Sequence, residues 1–317
     1  MGDEYDLAAS SQGTIVQLTE NFRLNPDLGE FVSTIYSRQF KPQKVQARQL
    51  AAALGTLAIE DLHASPPVGI PLSVLEPVQS FLIALSDVMY KQPQTVLVAP
   101  EVHSVTPENL LTGTSEVAVT HRPVSLALIQ LKTSSLRTFQ VGYEMHVHGE
   151  AAVAAALVMS LHRCCPDDNI FVATPHRIQR EAVKSALSKI KMNDQRPEAP
   201  IENMFSRLSI DDASSRSKIT VDTIERLQGS EASFVICLFS LPRASTTDLG
   251  FLLERRRLNV AISRAKTLCI LISSEAVLCP SVKVLANEET AKGYAFLKAY
   301  EQRAWSYSLN VNVDTLT

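Results

Sequence analysis

Between residues 125 and 273 the chain repeats one alternation: a short run that is apolar on both faces, then a helix-forming stretch. Strand-length runs fall at 125–131, 169–173, 218–223, 233–240 and 267–273, and the fourth reads Ser-Phe-Val-Ile-Cys-Leu-Phe-Ser. Helical patterns fall at 149–162, 176–191 and 251–265. A strand exposed on one side alternates apolar with polar residues, whereas a strand without a polar face must be covered on both sides. The pattern therefore predicts an α/β fold, with a parallel sheet carrying helices on both faces, centred on residues 125–280.

The flanks fit the alternation less well. Residues 46–124 carry a helical stretch at 45–62, the prolines Pro66, Pro67 and Pro71, a second apolar helix at 74–90 and a possible strand at 95–99. They are expected to form a mostly helical insertion or subdomain. Residues 1–45 are expected to pack on the main domain, and 193–217 to form a polar surface loop. Residues 281–317 should supply a C-terminal helix and, after Trp305, a weakly held tail.

Hydrophobic residues make up 45% of the 317 and charged residues 20%, which describes a globular chain. A formal net charge of −3 removes any global basic signal, so nucleic-acid binding would need a local surface. Cys164, Cys165, Cys237, Cys269 and Cys279 show no framework spacing, and their odd number predicts free thiols and an intracellular setting. The N-terminus lacks the basic and apolar regions of a signal peptide, and the longest apolar stretch, 151–161, is too short for a bilayer. No membrane partner is expected. His146-Val-His148 with Cys164-Cys165 lacks zinc-site spacing, so no metal site is predicted. Glu150 reads as an acid opening a helix, where the helix dipole accounts for it. Cys237 and Cys269 read as packing residues inside strands.

Two charged stretches adjoin the apolar runs: Val221-Asp-Thr-Ile-Glu-Arg-Leu-Gln-Gly-Ser-Glu231, and Glu254 to Lys266, which contains Arg-Arg-Leu-Asn-Val-Ala-Ile-Ser-Arg-Ala-Lys. Parallel sheets present such residues to phosphates at the carboxyl edge of their strands. Arg257 and Arg264 are two helical turns apart and would share a face of one helix. A guanidinium held that way can clamp phosphate oxygens in bidentate fashion. No Gly-Lys dipeptide occurs in the chain, so the G-x-x-x-x-G-K-[ST] phosphate loop is absent.

The second stretch resembles motif VI of superfamily 1 helicases, R-R-L-N-V-A-[LI]-T-R-A-[KR], departing only at Ser263. Thr223-Ile-Glu225-Arg-Leu-Gln228-Gly229-Ser-Glu231 is similar to motif V, with Glu225 in place of Asp. Leu18-Thr-Glu-Asn-Phe22-Arg23-Leu-Asn-Pro26 resembles motif IV, and Ala173-Thr174-Pro175-His176-Arg-Ile-Gln179 resembles the T-P-[YH]-x-x-Q element. All four occur in family order, in the manner of the branch that holds the nonsense-mediated-decay helicase and related DNA helicases of the P-loop NTPase superfamily.

The resemblance implies the second, C-terminal RecA-like domain of such a helicase. It implies that Arg264 and Arg23 are catalytic arginines reaching the γ-phosphate of ATP and that Phe22 stacks on adenine. Gln228, Gly229, Glu231 and Arg257 would complete the nucleotide side, and Thr174, Pro175, Gln179 and Thr223 would touch single-stranded RNA or DNA. ATP and Mg²⁺ would bind only with a first RecA-like domain, in cis or in trans. That domain supplies the lysine and the acidic pair, and the reading expects it to lie outside this chain. Met1-Gly2-Asp3-Glu4 does not substitute for the acidic pair, because no apolar strand precedes it. Alone, the chain is expected to be catalytically inactive. The rival expectation is a non-catalytic RecA-like module that binds nucleic acid or a helicase partner.

Overall fold

The computed structural model describes residues 20–21, 25–33, 41–42, 47–59, 69–91, 93–95, 119–121, 124–190, 218–243 and 246–316. Six strands form its main sheet: β1 (Leu126–Ser134), β2 (Ile170–Thr174), β3 (Ile219–Thr223), β4 (Ala232–Phe239), β5 (Ala265–Ser273) and β6 (Trp305–Asn312). Their order is β6-β1-β5-β4-β2-β3, and every neighbouring pair is parallel.

Successive residues of each inner strand feed two separate cores. Along β5, Leu268, Ile270 and Ile272 join one cluster, while Cys269 and Leu271 join the other. The first core lies under α4 (Tyr143–Cys164) and α5 (Arg177–Ser188). The second lies under α1 (Pro26–Ser33), α6 (Thr246–Leu252), α7 (Arg255–Ile262) and α8 (Glu288–Arg303). The expected parallel sheet with helices on both faces is therefore the observed fold, a RecA-like α/β arrangement.

Residues 46–124 do not form a separate body where they are described. Leu50 and Leu54 of α2 (Ala47–Gly55) and Val74, Val78, Phe81 and Leu85 of α3 (Leu72–Lys91) join the first core. These helices give α4 a second apolar wall, so every residue from Val153 to Leu161 is buried. A helix that is apolar all round has to be enclosed in this way. The window Leu72–Met89 of α3 is longer than the apolar stretch at 151–161 and, by length and composition alone, long enough to cross a membrane. Half of that window is buried in the fold.

Three expectations need correction. The residues after Trp305 are not a loose tail: β6 pairs with β1 from Trp305↔Ala127 to Asn312↔Ser134. Trp-Ser-Tyr-Ser-Leu-Asn-Val-Asn alternates with period two, buries Leu309 and Val311, and lays Trp305 against Phe81 with ring centroids 5.5 Å apart. The sheet thus extends well past residue 280. Secondly, the single helix expected at 251–265 is two helices, α6 and α7, turning at Leu253 and Glu254. Gly293 of α8 presses on that turn so closely that a Cβ would lie 1.4 Å from the Leu253 carbonyl oxygen. Thirdly, α4 begins at Tyr143, which places Glu150 inside the helix and removes the helix-dipole explanation. The expected strand at 95–99 is described only as far as Thr95.

Leu309 is 1% exposed. Leu309→Ala is therefore expected to cost about 2–5 kcal/mol in urea-monitored unfolding. A detached tail would give a change under about 0.5 kcal/mol.

Candidate functional site

Three of the motif segments meet at the amino ends of β4 and β5. Glu231 is the residue before β4 and Arg264 the residue before β5, and Ala232 N donates to Arg264 O at 3.1 Å. The Arg264 guanidinium donates to Val260 O at 3.0 Å, to Ser230 O at 3.2 Å and to Ser263 Oγ at 3.2 Å. Lys266 Nζ pairs with Glu231 Oε1 at 2.6 Å. Gly229, at φ +85°, turns the chain into this cluster; the left-handed region is open to glycine without a Cβ clash, and Gln228, Gly229 and Ser230 are exposed.

The motif IV segment arrives at the same place. Asn25 N donates to Lys266 O at 3.0 Å, and Asn25 Nδ2 donates to Ser125 Oγ at 3.1 Å and Thr267 O at 3.2 Å. Asn25 is 3% exposed, and Pro26 opens α1 directly after it. Phe22 and Arg23 lie outside the described residues, but residue 25 is fastened two positions from Arg264.

Arg257 belongs elsewhere. Arg264 lies past the C-cap of α7, so the two arginines do not share a helical face as expected; about 10 Å of helix axis separates them. Arg257 Nε donates to Glu225 Oε1 at 2.9 Å, and its Nη1 donates to Phe251 O at 3.0 Å and pairs with Glu254 Oε2 at 3.2 Å. Its guanidinium carbon also sits 3.7 Å from the centroid of the Phe251 ring. His176 also stacks on Phe251 at 4.6 Å and 21°. Arg257 thus ties the motif V turn to α6 and to the start of α5, an arrangement that phosphate binding would have to dismantle. Nothing in the sequence pattern singled out Phe251.

The carboxyl edge carries the other predicted residues. Thr174 and Thr223 end β2 and β3, about 20 Å of strand away from the level of Arg264. This corrects the carboxyl-edge expectation for Glu231 and Arg264, which stand at the amino edge, while Thr223 of motif V does end its strand at the carboxyl edge. Thr174, Pro175, Gln179 and Thr223 are all buried, so none offers an open face to a polymer. Thr174 Oγ1 donates to Asp222 O at 3.2 Å, and its own carbonyl accepts from Ile224 N at 3.2 Å. Asp222 in turn takes Arg180 Nη1 at 3.1 Å.

Beneath this edge runs a chain of polar side chains that the sequence did not reveal as a set. Thr133 Oγ1 lies 2.8 Å from His146 Nδ1, and His146 Nε2 lies 2.8 Å from Ser240 Oγ. Ser240 Oγ donates to Glu150 Oε1 at 2.6 Å, and Gln179 Nε2 donates to Glu150 Oε2 at 2.7 Å. Gln179 Oε1 then accepts from His176 N at 3.2 Å. Burial holds His146 down to about 4 and pushes Glu150 up to about 7, against the hydrogen bonds from Ser240 and Gln179 that favour its ionised form. A serine between a histidine and a carboxylate suggests a nucleophile, but Ser240 is 1% exposed and the carboxylate does not reach the histidine's other nitrogen. Among the described residues no group of three His, Cys, Asp or Glu could hold a metal ion.

A parallel sheet covered on both faces, carrying the four motif strings in order, agrees with the domain type of superfamily 1 helicases. The chain belongs to the AAA domain family, whose profile matches residues 5–276, and it is a superfamily 1 helicase-like domain. It is 31% identical over 136 residues to the putative ATP-dependent RNA helicase ECM32 of Saccharomyces cerevisiae, covering 38% of this chain and 12% of that protein. It is 30% identical over 96 residues to the DNA replication ATP-dependent helicase/nuclease dna2 of Schizosaccharomyces pombe, covering 30% of this chain and 6% of that protein. The matched stretch is thus a small part of either relative. The solved DUF1998 helicase MrfA bound to DNA aligns over 60% of this chain and 25% of its own, at 7% identity and a TM-score of 0.30, too slight a likeness to argue from.

The fold favours the protonated form of Glu150, so its stabilisation is complete below the usual carboxyl pKa of 4.5 and is lost as pH rises through about 7. His146 is favoured neutral, so its share is present above 6.5 and lost as pH falls through about 4. Relative to Glu150→Gln, the parent is expected to lose about 1–3 kcal/mol between about pH 5 and about pH 8 in urea melts. Parallel stability profiles for the two proteins would contradict this.

Proposed function

We propose that this chain serves as the second RecA-like domain of an ATP-dependent superfamily 1 helicase acting on single-stranded RNA or DNA. The observation that carries the reading is the meeting of three motif segments at the amino ends of β4 and β5, with Asn25 bonded to Lys266 beside Arg264. The residues suit one half of a nucleotide site. Arg264 supplies positive charge, Gln228-Gly229-Ser230 presents exposed backbone, and no Gly-Lys phosphate loop occurs in the sequence.

In this reading ATP with Mg²⁺ supplies the phosphoryl group and is held chiefly by a first RecA-like domain. Arg264 offsets negative charge as that group departs. Arg23, two residues before the anchored Asn25, is the second arginine, and Glu231 beside Lys266 faces the rest of the nucleotide. Arg257 keeps α7 in place and is not a phosphate ligand. Strand contact falls to groups around the carboxyl edge, where His176 and Arg177 follow the buried Thr174-Pro175. Backbone contact of that kind reads no base sequence. The lack of the phosphate loop also fits a non-catalytic module for nucleic acid or a helicase partner. A coding sequence upstream for strand, Gly-Lys-Ser/Thr and helix would favour the helicase-domain reading over it.

The purified chain is expected to bind single strands with an affinity that falls with salt, and to show no strand-stimulated ATP turnover. Arg264→Ala should leave strand affinity within about twofold in anisotropy titrations, because it lies at the opposite sheet edge. Sustained ATP turnover by this chain alone, abolished by Arg264→Ala, would overturn the half-site reading.

A further inference from the structure

Gln179 falls within a strand-binding motif by resemblance, yet its side chain has no outlet to solvent. It is 2% exposed, its Nε2 donates to Glu150 Oε2 at 2.7 Å and approaches Leu238 O at 3.5 Å, and its Oε1 accepts from His176 N at 3.2 Å. Glu150 is fully buried, and its two oxygens accept from Gln179 and Ser240 with no cation in contact among the described residues. Burying a carboxyl group without a countercharge is unfavourable, so a hydrophobic residue would serve stability better. What the carboxyl provides is direction, since it fixes the Gln179 amide so that its oxygen points at the His176 backbone.

We propose that Glu150 is a positioning residue for strand binding. Acting through Gln179, it braces the 174–176 turn, and neither side chain touches the strand. The inference rests on the strand-binding part of the function above. The turn is held from both sides. Thr174 is tied to Asp222 and Ile224 at the end of β3, and His176 is tied to Gln179 and stacked on Phe251. The brace therefore sets where the exposed Arg177 begins α5.

The hydrogen-bond chain has two self-consistent polarities. With Glu150 ionised, Thr133 donates to His146 Nδ1, His146 Nε2 donates to Ser240, and Ser240 donates to Glu150. With an amide at position 150, its NH₂ donates to Ser240, Ser240 donates to His146 Nε2, and His146 Nδ1–H donates to Thr133. In both, an oxygen at position 150 accepts from Gln179. Glu150→Gln should therefore keep the brace, whereas Glu150→Leu and Gln179→Leu should break it.

The test combines two measurements on this whole chain: anisotropy titration of a labelled oligouridylate of about 12 nucleotides, and amide hydrogen exchange. Glu150→Leu and Gln179→Leu are expected to weaken binding about tenfold or more and to speed exchange at His176. The amides of β1 and β5 should stay protected, which separates a lost brace from a failed fold. Glu150→Gln should bind within about threefold of the parent. The proposal is overturned if both leucine variants bind like the parent, or if Glu150→Gln fails as badly as Glu150→Leu. A parent chain that binds no strand removes the helicase-domain reading and the strand role together. Unchanged His176 exchange in the leucine variants, by contrast, removes the brace alone.

Discussion

The organising constraint is that a sheet made only of parallel, apolar strands has no side that water can wet. Each inner strand contributes alternate residues to two cores, and each core needs its own helices. From this follow the placement of α4 and α5 on one face and of α1, α6, α7 and α8 on the other. The same requirement draws the N-terminal helices in: α4 is apolar all round, and α2 and α3 supply its outer wall. Every connection between parallel strands must also return from one edge of the sheet to the other. The two edges consequently receive different chemistry, with arginine and exposed turn backbone at the amino ends of β4 and β5, and buried hydroxyl and amide groups at the carboxyl ends of β2 and β3.

Helix α7 makes the return between those edges. Arg257 stands in its first turn, clasped by Glu225 and Phe251, and Arg264 follows its end, bonded to Ser230. Because the helix spans only eight residues, neither arginine can shift along the axis without the other. The motif VI string therefore encodes a strut with one arginine holding it and another presented by it, which separates two residues that spacing alone made equivalent.

Much of this was legible from local pattern. The apolar runs located β1 to β5 because strands buried on both faces leave a continuous signal, and the motif strings named Glu231 and Arg264, which do lie side by side, together with Arg257, which does not. Three things were not legible. The split between α6 and α7 depends on the contact of Gly293 with Leu253, which joins residues far apart in sequence. The burial of Thr174, Pro175, Gln179 and Thr223 depends on what covers them, and a motif string carries no record of covering. Glu150 and His146 come from one helix, Thr133 from β1 and Ser240 from just past the end of the non-adjacent β4, so their hydrogen-bond chain exists only once the sheet is assembled. Strand β6, by contrast, was legible and overlooked: its period-two alternation was there to read.

That sixth strand bears on how the molecule is made. Ala127 and Trp305 are register partners, so β1 cannot complete its outer ladder until residues 305–312, far downstream of it, have left the ribosome. During synthesis the flank of β1 stays bare while the remainder of the sheet can already assemble, and an open flank invites pairing with other nascent chains. Closure by so distant a segment makes this pairing a slow, long-range step. The Trp305 and Tyr307 rings, both packed on Phe81, fasten that late strand onto a helix formed long before it.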